Sequence, residues 1–291
     1  MIVFLNRAFV EAGPRIATDD RGFLLGDGVF ETLYLESGRA AFVDAHVARL
    51  RKGLAALRIE PPTELDRLGD ILGGLYARNH ASGPAAARVT VTRGPGARGL
   101  SFPPDGEARS TFLASVAPYA APCGAARLIV SERIRLSTGS ATQFKPVGGY
   151  LENMLALDDA RRAGADDAVL FNEHGRPVCA SASNIFLIDD RDRLATPSLN
   201  EGAMQGVVRG LVVEGARALG LEISERAVEP AEIEHGRVFL TNSLTGLRPA
   251  ALVDGEPAEK SDVFSKLQIW YLDRLAASLG ANPAQGETAT T

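Results

Sequence analysis

Both halves of this 291-residue chain alternate between two hydrophobic periods, and that alternation limits the fold more than any other feature. Period-two segments predict strands over 1–12, with a turn near Asn6-Arg7, and over 30–35, 88–93 and 111–116. Between them, Val47, Leu50, Leu54 and Leu57 fall at helical spacing behind Asp44 as N-cap, and a second helix is predicted over 64–79. Residues 94–99 are too rich in glycine and proline for regular structure. Residues 118–125 place two prolines and a glycine among small residues, as a linker does. Beyond it strands are predicted over 127–134, 168–172, 184–189 and 237–241, and helices over 149–163, 206–219 and 262–279. Strands and helices mixed in each half imply an α+β protein. The expected division is a small N-terminal α+β domain over 1–117, a linker at 118–125, a larger C-terminal domain over 126–280 and a flexible tail at 281–291. A small ligand is expected between the domains.

Composition narrows the functional classes. A net charge of −5 and a pI near 5.5 argue against a general nucleic-acid binder. Cys123 and Cys179 form neither a disulfide framework nor a metal-ligand spacing, so no metal is expected. No apolar run is long enough for a bilayer, and the N-terminus lacks a signal-peptide layout, so a reducing, cytoplasmic setting is expected. Lysine is scarce: only Lys52, Lys145, Lys260 and Lys266 stand among 31 basic residues. Lys145 sits in Gln143-Phe144-Lys145-Pro146-Val147-Gly148-Gly149-Tyr150-Leu151, a mostly apolar stretch. An amine there loses solvation of its charged form, so its pKa falls and it becomes a nucleophile toward carbonyls. The plainer reading is a loop lysine whose stem covers apolar surface while its ammonium reaches water.

Several groups of residues then occur in a fixed order. Asp20-Arg21-Gly22-Phe23 precedes Gly26-Asp27-Gly28-Val29-Phe30-Glu31-Thr32, and His46-Val47-Ala48-Arg49-Leu50 follows. Arg98 lies in a Gly-rich loop; then come Lys145 with Tyr150, Ser183-Asn184-Ile185-Phe186, Gly206-Val207-Val208-Arg209 and Thr241-Asn242-Ser243-Leu244. In this order and at these distances the chain resembles the class IV, or fold-type IV, pyridoxal-phosphate enzymes over about residues 1–255. That family holds branched-chain aminotransferases, D-amino-acid aminotransferases and aminodeoxychorismate lyases. The resemblance implies two α+β domains of the fold-type IV kind with the active site between them, a pyridoxal 5'-phosphate cofactor and a homodimer. Lys145 matches the Schiff-base lysine and Arg49 the phosphate arginine, with His46 as its buttress. A helix from Gly206 would turn the amides of Val207 and Val208 toward the same phosphate. Ser243 and Leu244 complete the implied cofactor contacts, and Tyr150 matches the tyrosine that holds the cofactor's phenolic oxygen. Val208 replaces a usual threonine, at a net cost of about 1 kcal/mol for one hydrogen bond. Cys179 stands where the family places a glutamate against the pyridine nitrogen, and a thiol is a weak partner for that atom. It is expected to weaken carbanion stabilisation and to lower ordinary transamination.

Within the family, three features resemble the lyases. They are the loop Thr92-Arg93-Gly94-Pro95-Gly96-Ala97-Arg98-Gly99-Leu100, the Thr241–Leu244 run, and Thr32 at the position of a proton-transfer threonine. Phe30 and Leu100 occupy the tyrosine and histidine positions of the D-amino-acid carboxylate trap, which leaves Arg98, implied to come from a neighbouring subunit. The implied reaction is release of 4-aminobenzoate and pyruvate from aminodeoxychorismate by Lys145 and Thr32, with Phe30, Arg98 and Leu100 around this small-molecule substrate. A D-amino-acid or branched-chain aminotransferase with an atypical site, and a degenerate cofactor-binding protein with little catalysis, remain as alternatives.

Overall fold

The computed structural model describes residues 1–280 except 12, 14, 105, 107–108, 139–143 and 253–260, and gives only the backbone of 132–135. The tail expected at 281–291 lies outside the described residues. The chain forms two compact units. The first comprises Met1–Ala120, Phe144–Gly149 and Leu275–Thr291; the second comprises Ala121–Gln143 and Tyr150–Arg274. Among the described residues no helix is long and apolar enough to cross a membrane.

In the first unit, β1 (Ile2–Leu5) turns at Asn6 (φ 53°) into β2 (Ala8–Glu11). There follow α1 (Arg21–Leu25), β3 (Gly28–Glu36), β4 (Arg39–Ala40), α2 (Val43–Ala56), α3 (Leu68–Arg78), β5 (Ala85–Thr92) and β6 (Thr111–Pro118). The strands form one antiparallel sheet in the order β2-β1-β6-β5-β3-β4. Alternation sends Leu33, Leu35, Ala87, Val89, Ala114 and Val116 into a core shared with Leu50 and Leu54 of α2 and Leu72 and Leu75 of α3. Phe30, Thr32 and Arg88 alternate with these positions and take the other face, with Thr32 opposite Arg88 in register.

Two local expectations change. α2 is capped by Phe42 in the left-handed region (φ 51°), not by Asp44. The turn leaving β4 sets that start, and Asp44 lies in the first turn, where a carboxylate suits the positive end of the helix dipole. The helix expected over 64–79 is a 3-10 segment, Thr63–Arg67, followed by α3. The segment Phe144–Gly149 joins this unit by backbone pairing with β3. Phe30 N–H donates to Lys145 O (2.9 Å), and Val147 N–H donates to Gly28 O (2.9 Å).

The second unit contains β7 (Ala126–Leu136), α4 (Leu151–Arg162), β8 (Asp167–Asn172), β9 (Pro177–Ala180), β10 (Asn184–Ile188) and β11 (Leu194–Pro197). It continues through α5 (Val207–Ala218), β12 (Ile223–Arg226), α6 (Pro230–His235), β13 (Arg237–Asn242), β14 (Gly246–Leu252) and α7 (Asp262–Ser278), whose last residues belong to the first unit. The strand order is β12-β11-β10-β13-β14-β7-β8-β9. β9 also pairs with β10 through Asn184 and Cys179, so six of these strands close on themselves. One face carries Leu128, Val169, Ile185, Leu187, Val238 and Leu240. Phe186 stacks on Phe239, which meets Phe264 of α7 edge-on, and Ala156 and Ala160 of α4 pack on Ala168 and Leu170.

Candidate active site

Glu31 organises the candidate site of the first unit. It points from β3 toward α2, where His46 and Arg49, three residues apart, share one face of the helix. Arg49 donates from Nε to Glu31 Oε1 (2.6 Å) and from Nη2 to Oε2 (2.6 Å), a two-point ion pair. His46 Nδ1 lies 2.7 Å from the same Oε2. Glu31 and His46 are both 1% exposed. Burial alone would raise the Glu31 carboxyl, but hydrogen bonds from His46 and Arg49, with the arginine charge, hold it at about 2. Burial lowers the His46 pKa, so the ring stays neutral and donates from Nδ1. The arrangement fixes Arg49 by a buried counter-ion.

Lys145 is half-buried beside this group. Its Nζ stands 4.8 Å from the centroid of the Phe30 ring, and the Arg88 guanidinium lies 3.7 Å from the same centroid. Burial brings the Lys145 pKa down to about 8; Glu31 works against that change, and Arg49 and Arg88 add to it. About a tenth of the amine is therefore unprotonated at pH 7, against less than a thousandth at the ordinary lysine value, as a carbonyl nucleophile requires. Phe30, Arg49 and Lys145 are thus brought together near the start of β3, and Thr32 lies two residues beyond Phe30 on the same face of the sheet. Arg98 and Leu100 stand on the loop after β5, both exposed, Leu100 at 87%. Sequence reasoning passed over Glu31 as an anchor and Arg88 as a neighbouring cation. The alternation of β3 and the strand-like run at 88–93 carried the only available signal for either.

The second unit gathers the remaining predicted residues at one end of its sheet. Cys179 and Thr241 both pair with Asn184, at the meeting of β9, β10 and β13. Asn184 Nδ2 donates to Met204 O (2.8 Å), which secures the approach to α5. A Cβ at Gly206 would collide with Asn184 Oδ1, so only glycine fits this entry. The N-cap residue Gly206 has no side chain with which to cap α5, which leaves the amides at Val207 and Val208 open to an anion. Thr241 Oγ1 and Arg209 Nε are buried without a hydrogen-bond partner among the described residues. After β13, Asn242 Oδ1 accepts from the amides of Leu244 and Thr245 (2.9 Å each), and Asn242 Nδ2 donates to Ser183 Oγ (3.0 Å), which fixes the Ser243–Leu244 turn. Tyr150 is the residue from which α4 starts, and Asn153 Nδ2 holds Ser181 O at 2.8 Å.

These donors fit a phosphate. The thiol of Cys179 is a different matter: burial, and next the nearby Asp167 carboxylate, push it up to about 12, so it is neutral across the physiological range. It packs against the cluster of Ala156, Ala160, Ala165, Ala168 and Leu170. A neutral thiol makes no ion pair with a protonated pyridine nitrogen.

A family model described as amino-transferase class IV matches residues 28–253. The chain is 26% identical over 276 residues to the aminodeoxychorismate lyase of Bacillus subtilis, covering 93% of each protein. It is 27% identical over 293 residues to a bifunctional aminodeoxychorismate lyase / D-amino acid transaminase of Mycobacterium tuberculosis, covering 92% of this chain and 97% of that one. Among solved structures, the branched-chain aminotransferase of Thermoproteus uzoniensis with norvaline superposes with a TM-score of 0.84 at 21% identity, covering 95% of each chain, and so shares the fold.

Proposed function

We propose that this chain, which belongs to the class IV aminotransferase family, cleaves aminodeoxychorismate to 4-aminobenzoate and pyruvate with Lys145 as its nucleophile and proton carrier. Enzymes of this family use pyridoxal 5'-phosphate, which when bound supplies an electron sink for bond breaking next to the substrate amine. The observation that carries the reading is Lys145: an amine with a pKa of about 8, pinned to β3 through its backbone and seated against Phe30. Arg49 and the Val207 and Val208 amides would hold the phosphate, with Ser243 and Leu244 beside them. Tyr150 would hold the phenolic oxygen, and Cys179 would face the ring nitrogen without protonating it.

Lys145 Nζ would take the ring proton of the substrate as the enolpyruvyl C–O bond breaks, with Thr32 Oγ1 as its relay. Aromatisation drives that step, and a neutral ring nitrogen suits a reaction that accumulates little carbanion character. Arg98 would bind a substrate carboxylate. The proposal includes a cytoplasmic homodimer in which Arg98 serves the neighbouring subunit.

Arg88 favours a second reading, a D-amino-acid or branched-chain aminotransferase. A guanidinium on the same aromatic ring as the Lys145 amine offers an amino acid a partner for its carboxylate. The two readings part on the need for a second substrate. The cofactor-loaded protein is incubated with aminodeoxychorismate and no keto acid, and 4-aminobenzoate and pyruvate are quantified. Equal amounts of both support the lyase. No product there, with amino transfer from a D- or branched-chain amino acid to a keto acid, overturns it in favour of the aminotransferase.

A further inference from the structure

Arg98 has no hydrogen-bond or ion-pair partner among the described residues, yet the backbone on both sides of it is fixed. Arg21 is 3% exposed, and its Nη1 donates to Ala97 O and to Gly99 O, 3.0 Å each, the carbonyls that bracket Arg98. Its Nε is held by Asp27 Oδ2 at 2.9 Å. Asp27 is held in turn by Arg93, from Nε (2.7 Å) and Nη2 (3.1 Å), and Arg93 donates onward to Arg58 O and Leu57 O. Arg93 also carries the Phe102 ring, 4.2 Å away, at the far end of the loop.

The backbone of 19–21 pins the start of the same loop: Arg21 N–H donates to Gly94 O (2.9 Å) and Gly96 N–H to Asp19 O (3.1 Å). Asp20 secures the strands below it by accepting from Thr92 Oγ1 (2.8 Å) and Thr111 Oγ1 (2.6 Å). Gly96 is needed because a Cβ there would stand 2.9 Å from Arg21 Cδ. Arg21 directly, and Asp27 through Arg93, are therefore committed to the loop after β5, while Asp20 ties the strands beneath it, and Arg98 is the cation that residues 94–100 present.

We propose that Arg21 is a positioning residue for Arg98: by clamping the carbonyls on either side of it, Arg21 sets the direction of the Arg98 guanidinium and hence the affinity for a substrate carboxylate. Fixing a recognition group before binding removes an ordering cost that would otherwise appear in KM. Asp27 and Arg93 hold the clamp from behind. The proposal rests on the reading of Arg98 as the carboxylate partner.

The test compares Arg21→Lys, Gly96→Ala and Arg98→Gln in the full-length, cofactor-loaded enzyme, with whichever substrate it turns over. Two quantities are read: kcat and KM, and hydrogen exchange of the 94–100 peptide, whose Gly94 and Gly96 amides are hydrogen-bonded. Arg21→Lys keeps the charge beside Asp27 but cannot reach Asp27 and both carbonyls at once. It is expected to speed exchange in the loop and to raise KM about tenfold, with kcat and cofactor affinity within about twofold. Gly96→Ala, which crowds the Arg21 stem and leaves every charge in place, should move both quantities the same way by less. Arg98→Gln should raise KM and leave exchange unchanged. Faster exchange in Arg21→Lys and Gly96→Ala with an unchanged KM, while Arg98→Gln raises KM, overturns the clamp alone. An unchanged KM in Arg98→Gln overturns the reading of Arg98 and the clamp with it.

Discussion

Glu31→Gln tests whether one buried carboxylate governs both the stability of the first unit and the reactivity of Lys145. In the folded protein the Glu31 carboxyl sits at about 2 against an ordinary 4.5. At about 1.4 kcal/mol per tenfold change in proton affinity, that is about 3 kcal/mol of stability at pH 7. The folded value is depressed, so this stability is fully present above pH 4.5 and is lost as pH falls toward 2. By pH 3 about 2 kcal/mol of it is gone. The variant also leaves Arg49, 7% exposed, without its counter-ion, and breaking a buried pair from one side costs about 3–5 kcal/mol. Urea unfolding of wild type and variant, followed by circular dichroism between pH 7 and pH 3, measures the gap. It should be about 3–5 kcal/mol at pH 7 and narrow by about 2 kcal/mol at pH 3. A gap that stays constant across that range refutes the account of Glu31 as an ionised anchor. The same variant carries a chemical readout: Glu31 opposes the lowering of the Lys145 pKa, so its removal should shift the midpoint of Lys145 reactivity below about 8.

Capture of pyridoxal phosphate by wild type, trapped with borohydride, should rise with pH to a midpoint near 8 and map to the peptide carrying Lys145; Lys145→Ala should lose it, and label elsewhere would sink the assignment. Iodoacetamide at pH 8 should modify the exposed Cys123 of the folded protein much faster than the half-buried, neutral Cys179, so equal rates at the two thiols would contradict the raised pKa of Cys179. Cys179→Glu should raise half-transamination with amino acids, read as loss of cofactor absorbance on adding an amino acid alone; no gain either in this variant or in its combination with Asp167→Asn, with fold and cofactor retained, would mean that Cys179 does not face the ring nitrogen.

What the sequence disclosed, and what it hid, follows the range of the interactions. The strands β1, β3, β5 and β6 and the helices α2 and α5 are written in local periodicity, and their bounds shift by only a few residues. Lys145 was legible because a lone lysine in an apolar glycine-rich stretch is a local anomaly. Glu31 was not, because its partners lie 15 and 18 residues away across a strand and a helix. The Asp27–Arg93 pair spans 66 residues, and the clamp from Arg21 to Gly99 spans 78. No window of periodicity reaches that far. β9 escaped notice for another reason: Pro177-Val178-Cys179-Ala180 is too short to alternate and opens on a proline, and its strand character comes from β8 and β10 on either side. Phe42 displaced Asp44 as the cap because the exit from β4 fixes the chain direction before capping preference acts.

Asp27 and Glu31 of the first unit and the half-buried Asp167 of the second are treated in opposite ways, and this bears on Cys179. In the first unit, Asp27 has Arg21 and Arg93, and Glu31 has His46 and Arg49, so each anion is balanced within the protein. Asp27 is held below the usual carboxylate range: burial raises it, but the two arginines more than compensate. In the second unit Asp167 lies near Cys179, and burial pushes its carboxyl up despite hydrogen bonds from the Ser181 and Ala168 amides to Oδ1 (3.0 and 2.8 Å). A glutamate in place of Cys179 would add a second anion beside Asp167, and like charges in a buried place disfavour ionisation of both. Arg248, whose charge reaches Asp167, is paired with Asp166 at 3.7 Å. A neutral thiol at 179 is thus consistent with Asp167 in place on the neighbouring strand β8. The carboxyl introduced by Cys179→Glu would ionise more readily with a neutral residue in place of Asp167. Cys179→Glu combined with Asp167→Asn is therefore the pair that should show the larger gain in amino transfer, and a gain no greater than that of Cys179→Glu alone would show that Asp167 does not act on this position.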